Sequence, residues 1–192
     1  VLAADANDDV YTTSRDSGRT LVRLGVTGTS TGAVTAIGST NIDKPVAANF
    51  APDGTLYMLD QDNDKLFSVD SSTGSSTELS LTGDSLTVEG GDLVVNQDNE
   101  MIYLDINGIV YKIDLDNANQ VSQLGNLSGS GYTSLALQGG SYFGFDKDND
   151  EIVEFTIDSG SIINEGVANT VTTDVGFGDA TSCLANQQEE ED

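Results

Sequence analysis

The chain has no histidine and no tryptophan, one cysteine, two prolines, and only 7 Lys plus Arg against 32 Asp plus Glu. Each shortage removes a class of function. Without an imidazole there is no histidine base, no Ser-His pair and no ordinary zinc site, and Cys183 has no histidine to activate it. A single cysteine also cannot form an internal disulfide, so Cys183 is either a quiet thiol or a link to another molecule, the former being favoured. The lack of tryptophan removes the best platform for stacking a sugar ring, although Tyr11, Tyr57, Tyr103, Tyr111, Tyr132 and Tyr142 remain. The lack of cations leaves a formal net charge of -25, a field that repels phosphate backbones and anionic lipid. Nucleic acid is thereby excluded as a partner. No run of 18 apolar residues exists, so no segment reads as a membrane-crossing helix.

What is present is a repeat. Val10-Tyr11-Thr12-Thr13 runs through a polar turn into Leu21-Val22-Arg23-Leu24, and Leu56-Tyr57-Met58-Leu59 runs through Asp60 to Asp64 into Leu66-Phe67-Ser68-Val69. Ile102-Tyr103-Leu104-Asp105 leads through Asn107-Gly108 into Val110-Tyr111-Lys112-Ile113, and Tyr142-Phe143-Gly144-Phe145 leads through Asp146 to Asp150 into Ile152-Val153-Glu154-Phe155. The anchors Leu21, Leu66, Val110 and Ile152 are spaced by 45, 44 and 42 residues. That is the period of a four-stranded propeller blade, not of a helical or leucine-rich repeat.

Alternation of apolar and polar residues, punctuated by Gly, Asn, Asp and Ser, divides each repeat into short antiparallel strands. The second repeat gives 46–50, 55–59, 65–70 and 75–81. The third gives 92–96, 101–105, 109–114 and 120–127, and the fourth 133–138, 141–145, 151–157 and 161–167. No window carries a helical stripe. The first repeat has no evident opening strand, whereas 174–181 is a strand candidate without a partner. Placing it beside the first repeat predicts an all-β, four-bladed β-propeller closed by the two termini, which would leave no free sheet edge. A two-sheet sandwich or part of a larger propeller are the alternatives. One domain over 1–192 is expected, with extensions at 1–9 and at the acidic 184–192.

One constellation has the pattern of a metal site. Asp60, Asp62 and Asp64 alternate within one turn, and Asp146, Asp148 and Asp150 repeat the arrangement. Alternate carboxylates on a tight loop suit a hard cation such as Ca²⁺, which takes about six to eight oxygens. No Gly at the sixth position and no Glu at the twelfth follows, so this is not the helix-loop-helix calcium motif, and a polar Asx-type hairpin turn explains the same residues. The Gly-containing Ser128-Gly129-Ser130-Gly131 leads into a strand, not a helix, and so reads as an inter-blade loop and not a phosphate cradle. Tyr11, Tyr57 and Tyr103 fall at equivalent repeat positions, which favours a structural role.

The phrases Phe50-Ala51-Pro52-Asp53-Gly54-Thr55-Leu56-Tyr57 and Lys65-Leu66-Phe67-Ser68-Val69-Asp70-Ser71-Ser72-Thr73-Gly74 resemble the repeats of secreted bacterial β-propellers with NHL-type and related blades. The resemblance implies the fold and carries over no functional residue. Together with the acidity and the small-residue stub Val1 to Ala6, it gives the expectation of a secreted protein. The function expected is a non-catalytic structural or interaction subunit, self-assembling through other copies of the chain, with Ca²⁺ in the acidic loops. The alternative is a carbohydrate-binding propeller or a carboxylate-dependent glycosidase or lyase.

Overall fold

The computed structural model describes residues 1–16, 19–26 and 31–170. Among them all regular structure is β, in four antiparallel sheets that follow the chain. Sheet 1 holds β1 (Leu2–Ala4), β2 (Val10–Thr13), β3 (Thr20–Leu24) and β4 (Val34–Ser39) in that order. Sheet 2 holds β5 (Pro45–Phe50), β6 (Leu56–Asp60), β7 (Lys65–Val69) and β8 (Ser76–Leu79). Sheet 3 holds β10 (Asp92–Val95), β11 (Glu100–Leu104), β12 (Ile109–Asp114) and β13 (Gln120–Asn126), with the two-residue β9 (Thr82–Gly83) added in parallel at its outer edge. Sheet 4 holds β14 (Tyr132–Gln138), β15 (Ser141–Asp146), β16 (Glu151–Asp158) and β17 (Ser161–Thr170).

The hairpins form where short polar side chains satisfy the turn backbone. Asp5 Oδ1 accepts the N–H groups of Asn7 and Asp9, each at 2.9 Å. Asn96 Oδ1 does the same for Asp98 and Glu100, also at 2.9 Å. The turn then needs one residue in the left-handed region, and Asp8, Gly54 and Asn99 fill that place in sheets 1, 2 and 3 with φ of 63°, 87° and 55°. Asn, Asp and Gly tolerate this conformation at least cost, so the local sequence selects the turn.

Strand alternation gives each sheet two faces, and these faces make three cores. In sheet 2 the register aligns Ala48 with Met58, Phe50 with Leu56, and those two with Phe67 and Val69. This face meets Ala3, Tyr11, Leu21 and Ile42 of sheet 1 and its linker. The equivalent face of sheet 3, formed by Leu93, Val95, Met101, Tyr103, Tyr111 and Ile113, packs on Ala47, Leu59 and Leu66 of sheet 2. In sheet 4 the face of Leu135, Leu137, Tyr142, Val153 and Phe155 packs on Val94, Ile102, Leu104 and Val110 of sheet 3. Gly144 belongs to this face too, because a Cβ there would lie 2.7 Å from the Leu104 side chain. The innermost strands pack in the order β1, β5, β10, β14, as in a propeller, and no comparable packing joins β14 to β1 among the described residues.

Two expectations change. The first repeat does have an opening strand: Leu2–Ala4 pairs with β2, Ala3 facing Tyr11, so these residues belong to the sheet and not to an extension. With β1 on one side of β2 and β3 on the other, both edges of β2 are filled. A C-terminal strand therefore has no ladder to join beside Tyr11, because each strand edge bonds one neighbour. The candidate strand at 174–181 lies outside the described residues.

Candidate functional site

One end of the sheets gathers the β6–β7, β11–β12 and β15–β16 hairpins and the segments that connect one sheet to the next. Backbone bonds tie these together: Gln61 N–H to Lys44 carbonyl at 3.0 Å, Leu127 N–H to Gly108 carbonyl at 2.8 Å, and Gly131 N–H to Ile106 carbonyl at 2.7 Å.

Three aspartates terminate the second strands here and are each about 1% exposed: Asp60, Asp105 and Asp146. Asp60 Oδ1 accepts the N–H of Lys44 at 2.9 Å and of Asp62 at 3.2 Å, and its Oδ2 accepts the Asn63 amide at 2.8 Å. Asp146 takes the N–H groups of Asp148 and Asn149 at 2.9 and 3.2 Å and the Asn149 amide at 2.7 Å. Both act as turn caps. The remaining alternate carboxylates point elsewhere. Asp64 accepts the Val88 N–H at 2.7 Å, Asp62 lies 3.9 Å from the Lys44 ammonium, Asp148 pairs with Lys147, and Asp150 supplies the left-handed residue with φ of 55°. Among the described residues no three Asp or Glu side chains converge as metal ligands.

Asp105 differs from its two counterparts. Its Oδ1 accepts the Asn107 N–H at 2.6 Å, and the Asn107 amide reaches both Asp105 Oδ2 at 3.3 Å and Glu89 at 3.0 Å. Burial pushes the Asp105 carboxyl above the usual carboxylate range, the N–H groups of Asn107 and Ile109 pull it back in part, and the nearby Glu89 adds to the rise. Sequence reasoning passed over Asp105 because its turn is shorter and lacks alternate carboxylates. Its place at the end of the second strand, in line with Asp60 and Asp146, was the available signal.

Next to this hairpin opens a cleft of about 440 Å³ lined by Ser128, Gly129, Asp146, Glu151, Val153 and Glu165. Three strands and a linker build it. Asp146 ends β15, Glu151 begins β16, and Glu165 sits on β17 where a register shift leaves Asn164, with φ of 52°, and Glu165 in a bulge. Bulges re-aim side chains in this way. The Ser128 N–H donates to the Glu165 carboxylate at 2.6 Å and holds it at the mouth. Buried Tyr132 donates its hydroxyl to the Ser128 carbonyl at 2.5 Å. Burial raises the pKa of that hydroxyl, and the charges of Asp146, Glu165 and Glu151 raise it further. Among the described residues no positively charged side chain lines the cleft.

No protein-family model matches the chain, and no curated protein matches it. Solved structures do. A gluconolactonase from Xanthomonas campestris superposes with a TM-score of 0.69 at 14% identity, over 89% of this chain and 62% of that one. A catalytically inactive histidine-to-alanine variant of virginiamycin B lyase from Staphylococcus aureus, solved with quinupristin, gives 0.63 at 14% identity over 94% and 58%. An auxiliary nutrient binding protein from Bacteroides ovatus gives 0.64 at 13% over 86% and 40%. The chain thus spans less than two thirds of each. At such identities the likeness establishes the fold: the four sheets are propeller-like blades. It also corrects the expectation of a non-enzymatic structural subunit, since the structures sharing this architecture include a lyase and a gluconolactonase.

Proposed function

We propose that the protein is a carboxylate-dependent enzyme of the glycosidase, lyase or lactone-cleaving kind, working in the cleft between Ser128 and Glu165. The observation that carries this is the presence of Asp146, Glu151 and Glu165 together in the lining of one concave space within a propeller-like fold. A volume of about 440 Å³ falls in the range of small-molecule sites. Of the three carboxyls, Asp146 is engaged by N–H donors and Glu165 by one, leaving Glu151 the most available to exchange a proton with a ligand. A pair of carboxyls suffices to break a glycosidic bond when one gives a proton to the leaving oxygen and the other receives one from water or attacks the carbon. Lactone opening and elimination need the same two services. The lyase neighbour is inactive when a histidine is replaced, and this chain has no histidine, so proton transfer in this cleft is assigned to the carboxylates that line it. An acidic lining disfavours polyanionic sugars, which makes neutral or cationic carbohydrate derivatives the better substrates.

The test is a panel of neutral glycosides, amino-sugar glycosides and sugar lactones, assayed with the native protein and with Glu151→Gln. Turnover lost in the variant supports the proposal. Turnover that survives it, or none on any substrate, removes it. A second reading, ligand capture without turnover, is supported by the nutrient-binding neighbour. Calorimetric binding of a sugar with no product formed would select it.

A further inference from the structure

The linker between β13 and β14, Leu127-Ser128-Gly129-Ser130-Gly131, is a strap fastened at its two ends. Its alternate glycines take φ of 88° at Gly129 and 86° at Gly131, which lets the chain turn sharply beside the β11–β12 hairpin. There Leu127 and Gly131 donate their N–H groups to the Gly108 and Ile106 carbonyls, and the Tyr132 N–H also reaches the Ile106 carbonyl at 3.2 Å. Between these fastenings the strap touches two of the cleft carboxylates. The Ser128 N–H bonds Glu165 Oε1, and Gly129 comes so near Asp146 that a Cβ on it would lie 2.6 Å from Oδ2. A shift of the strap therefore changes where Glu165 stands relative to Asp146. Spacing governs what a pair of carboxyls can do, with about 5 Å suiting direct attack and more than about 6.5 Å leaving room for a water.

The middle of the strap is held by Tyr132, whose Cα pairs with that of Asp146 at the start of β14. Its ring is buried in the core between sheets 3 and 4 and passes close to two glycines, since a Cβ on Gly108 or on Gly144 would lie 3.3 Å or 3.1 Å from a ring carbon. A ring locked in this way by its packing presents its hydroxyl in one place. That hydroxyl donates to the Ser128 carbonyl at 2.5 Å, and because burial raises its pKa it remains a donor. We propose that Tyr132 is a positioning residue of the cleft: through the Ser128 backbone, its hydroxyl fixes the place of the Glu165 carboxylate beside Asp146. Its effect on turnover rests on the reading of this cleft as the reacting site, whereas its hold on Glu165 does not.

Amide hydrogen exchange followed by NMR, on the native protein, Tyr132→Phe and Glu165→Ala, tests that hold directly. The phenylalanine ring keeps the packing and removes only the hydroxyl. In Tyr132→Phe the Ser128 N–H should exchange about 10-fold faster or more, the factor that one hydrogen bond to a charged group is worth. The Leu135 N–H of β14, which bonds Asp92 at 3.0 Å, should stay as slow as in the native protein. Adding Tyr132→Phe to Glu165→Ala should change the Ser128 rate no further, because the two side chains hold one group between them. An unchanged Ser128 rate in Tyr132→Phe, or a rise that Leu135 shares equally, overturns the proposal, since the hydroxyl then serves overall stability alone. On any substrate the panel reveals, Tyr132→Phe should raise KM by about 10-fold with kcat little changed, and should add nothing in the Glu165→Ala background. A loss of the same size in both backgrounds also overturns it. If the native protein turns over nothing in the panel, the reading of the cleft falls, and the exchange of the Ser128 N–H still decides whether Tyr132 holds Glu165.

Discussion

Gly38 and Gly74 meet backbone to backbone where β4 of blade 1 crosses the last turn of blade 2, and a Cβ on Gly74 would lie 2.5 Å from the Gly38 carbonyl oxygen. Gly74 also has φ of 81°, so it answers two demands, a left-handed turn and a close approach. Gly38 has ordinary φ, and its absence of a side chain is needed only for the approach. A methyl group there would strike the Thr73 carbonyl, which is backbone and cannot swing aside. Gly38→Ala is expected to destabilise the fold by about 1–3 kcal/mol, as overpacking does. Urea unfolding checks this; a change within about 0.5 kcal/mol, the size of an ordinary surface substitution, would show that the blades do not approach so closely.

The two acidic turns should respond to mutation according to burial and not to carboxylate count. Asp146→Ala strips the acceptor from two backbone N–H groups and one amide, and is expected to cost about 1–3 kcal/mol. Asp148→Ala removes an exposed side chain and should cost less than about 0.5 kcal/mol. Calcium titration of the native protein and of Asp62→Ala and Asp148→Ala should give the same heats in all three, because Asp60 and Asp146 already bind N–H donors. A calcium-induced rise in melting temperature that either exposed variant abolishes would restore the metal site.

Asp105 should set a pH dependence of stability. Its carboxyl is raised in the folded state by burial above all, so the fold holds this proton more tightly than the unfolded chain does. The resulting stabilisation is complete below the unfolded pKa of 3.8 and is lost as pH rises through the folded value. At neutral pH the buried charge is a burden. Asp105→Asn, which keeps an oxygen for the Asn107 N–H, should melt above the native protein at pH 7 and converge with it toward pH 3. Melting curves that stay parallel across this range would mean that the carboxyl is not strained by burial.

Cleft chemistry should divide by position. If a substrate is found, Glu151→Gln is expected to lower kcat by about 10²-fold or more with KM little changed, as loss of a general acid or base does. Glu165→Gln keeps an acceptor for the Ser128 N–H and should act more through KM. Equal small effects from both would mean that the cleft binds without reacting.

Much of the fold was legible because its signals are local. Alternation of period two, together with Asp, Asn and Gly at turns, placed β5 to β8 and β10 to β17 within a few residues of where they lie, as in 109–114 for β12 (Ile109–Asp114). Turn chemistry read from Asp60 and Asp146 likewise described local bonding, since an Asx turn spans only a few residues. β1 escaped because three residues carry no period. Its strand character comes from the ladder with β2, which is a fact about pairing and not about Leu2, Ala3 or Ala4 themselves.

What the sequence determined by itself is thus the repeating unit: four strands about every 44 residues, all-β, acidic and without histidine. The tertiary structure alone decided which residues meet. Glu151 and Glu165 are 14 positions apart and line one cleft only because β16 and β17 pair as neighbours in sheet 4. Asp105 has a raised carboxyl because its surroundings withdraw water and bring Glu89 near. Burial and convergence depend on distant parts of the chain, and no local pattern encodes them.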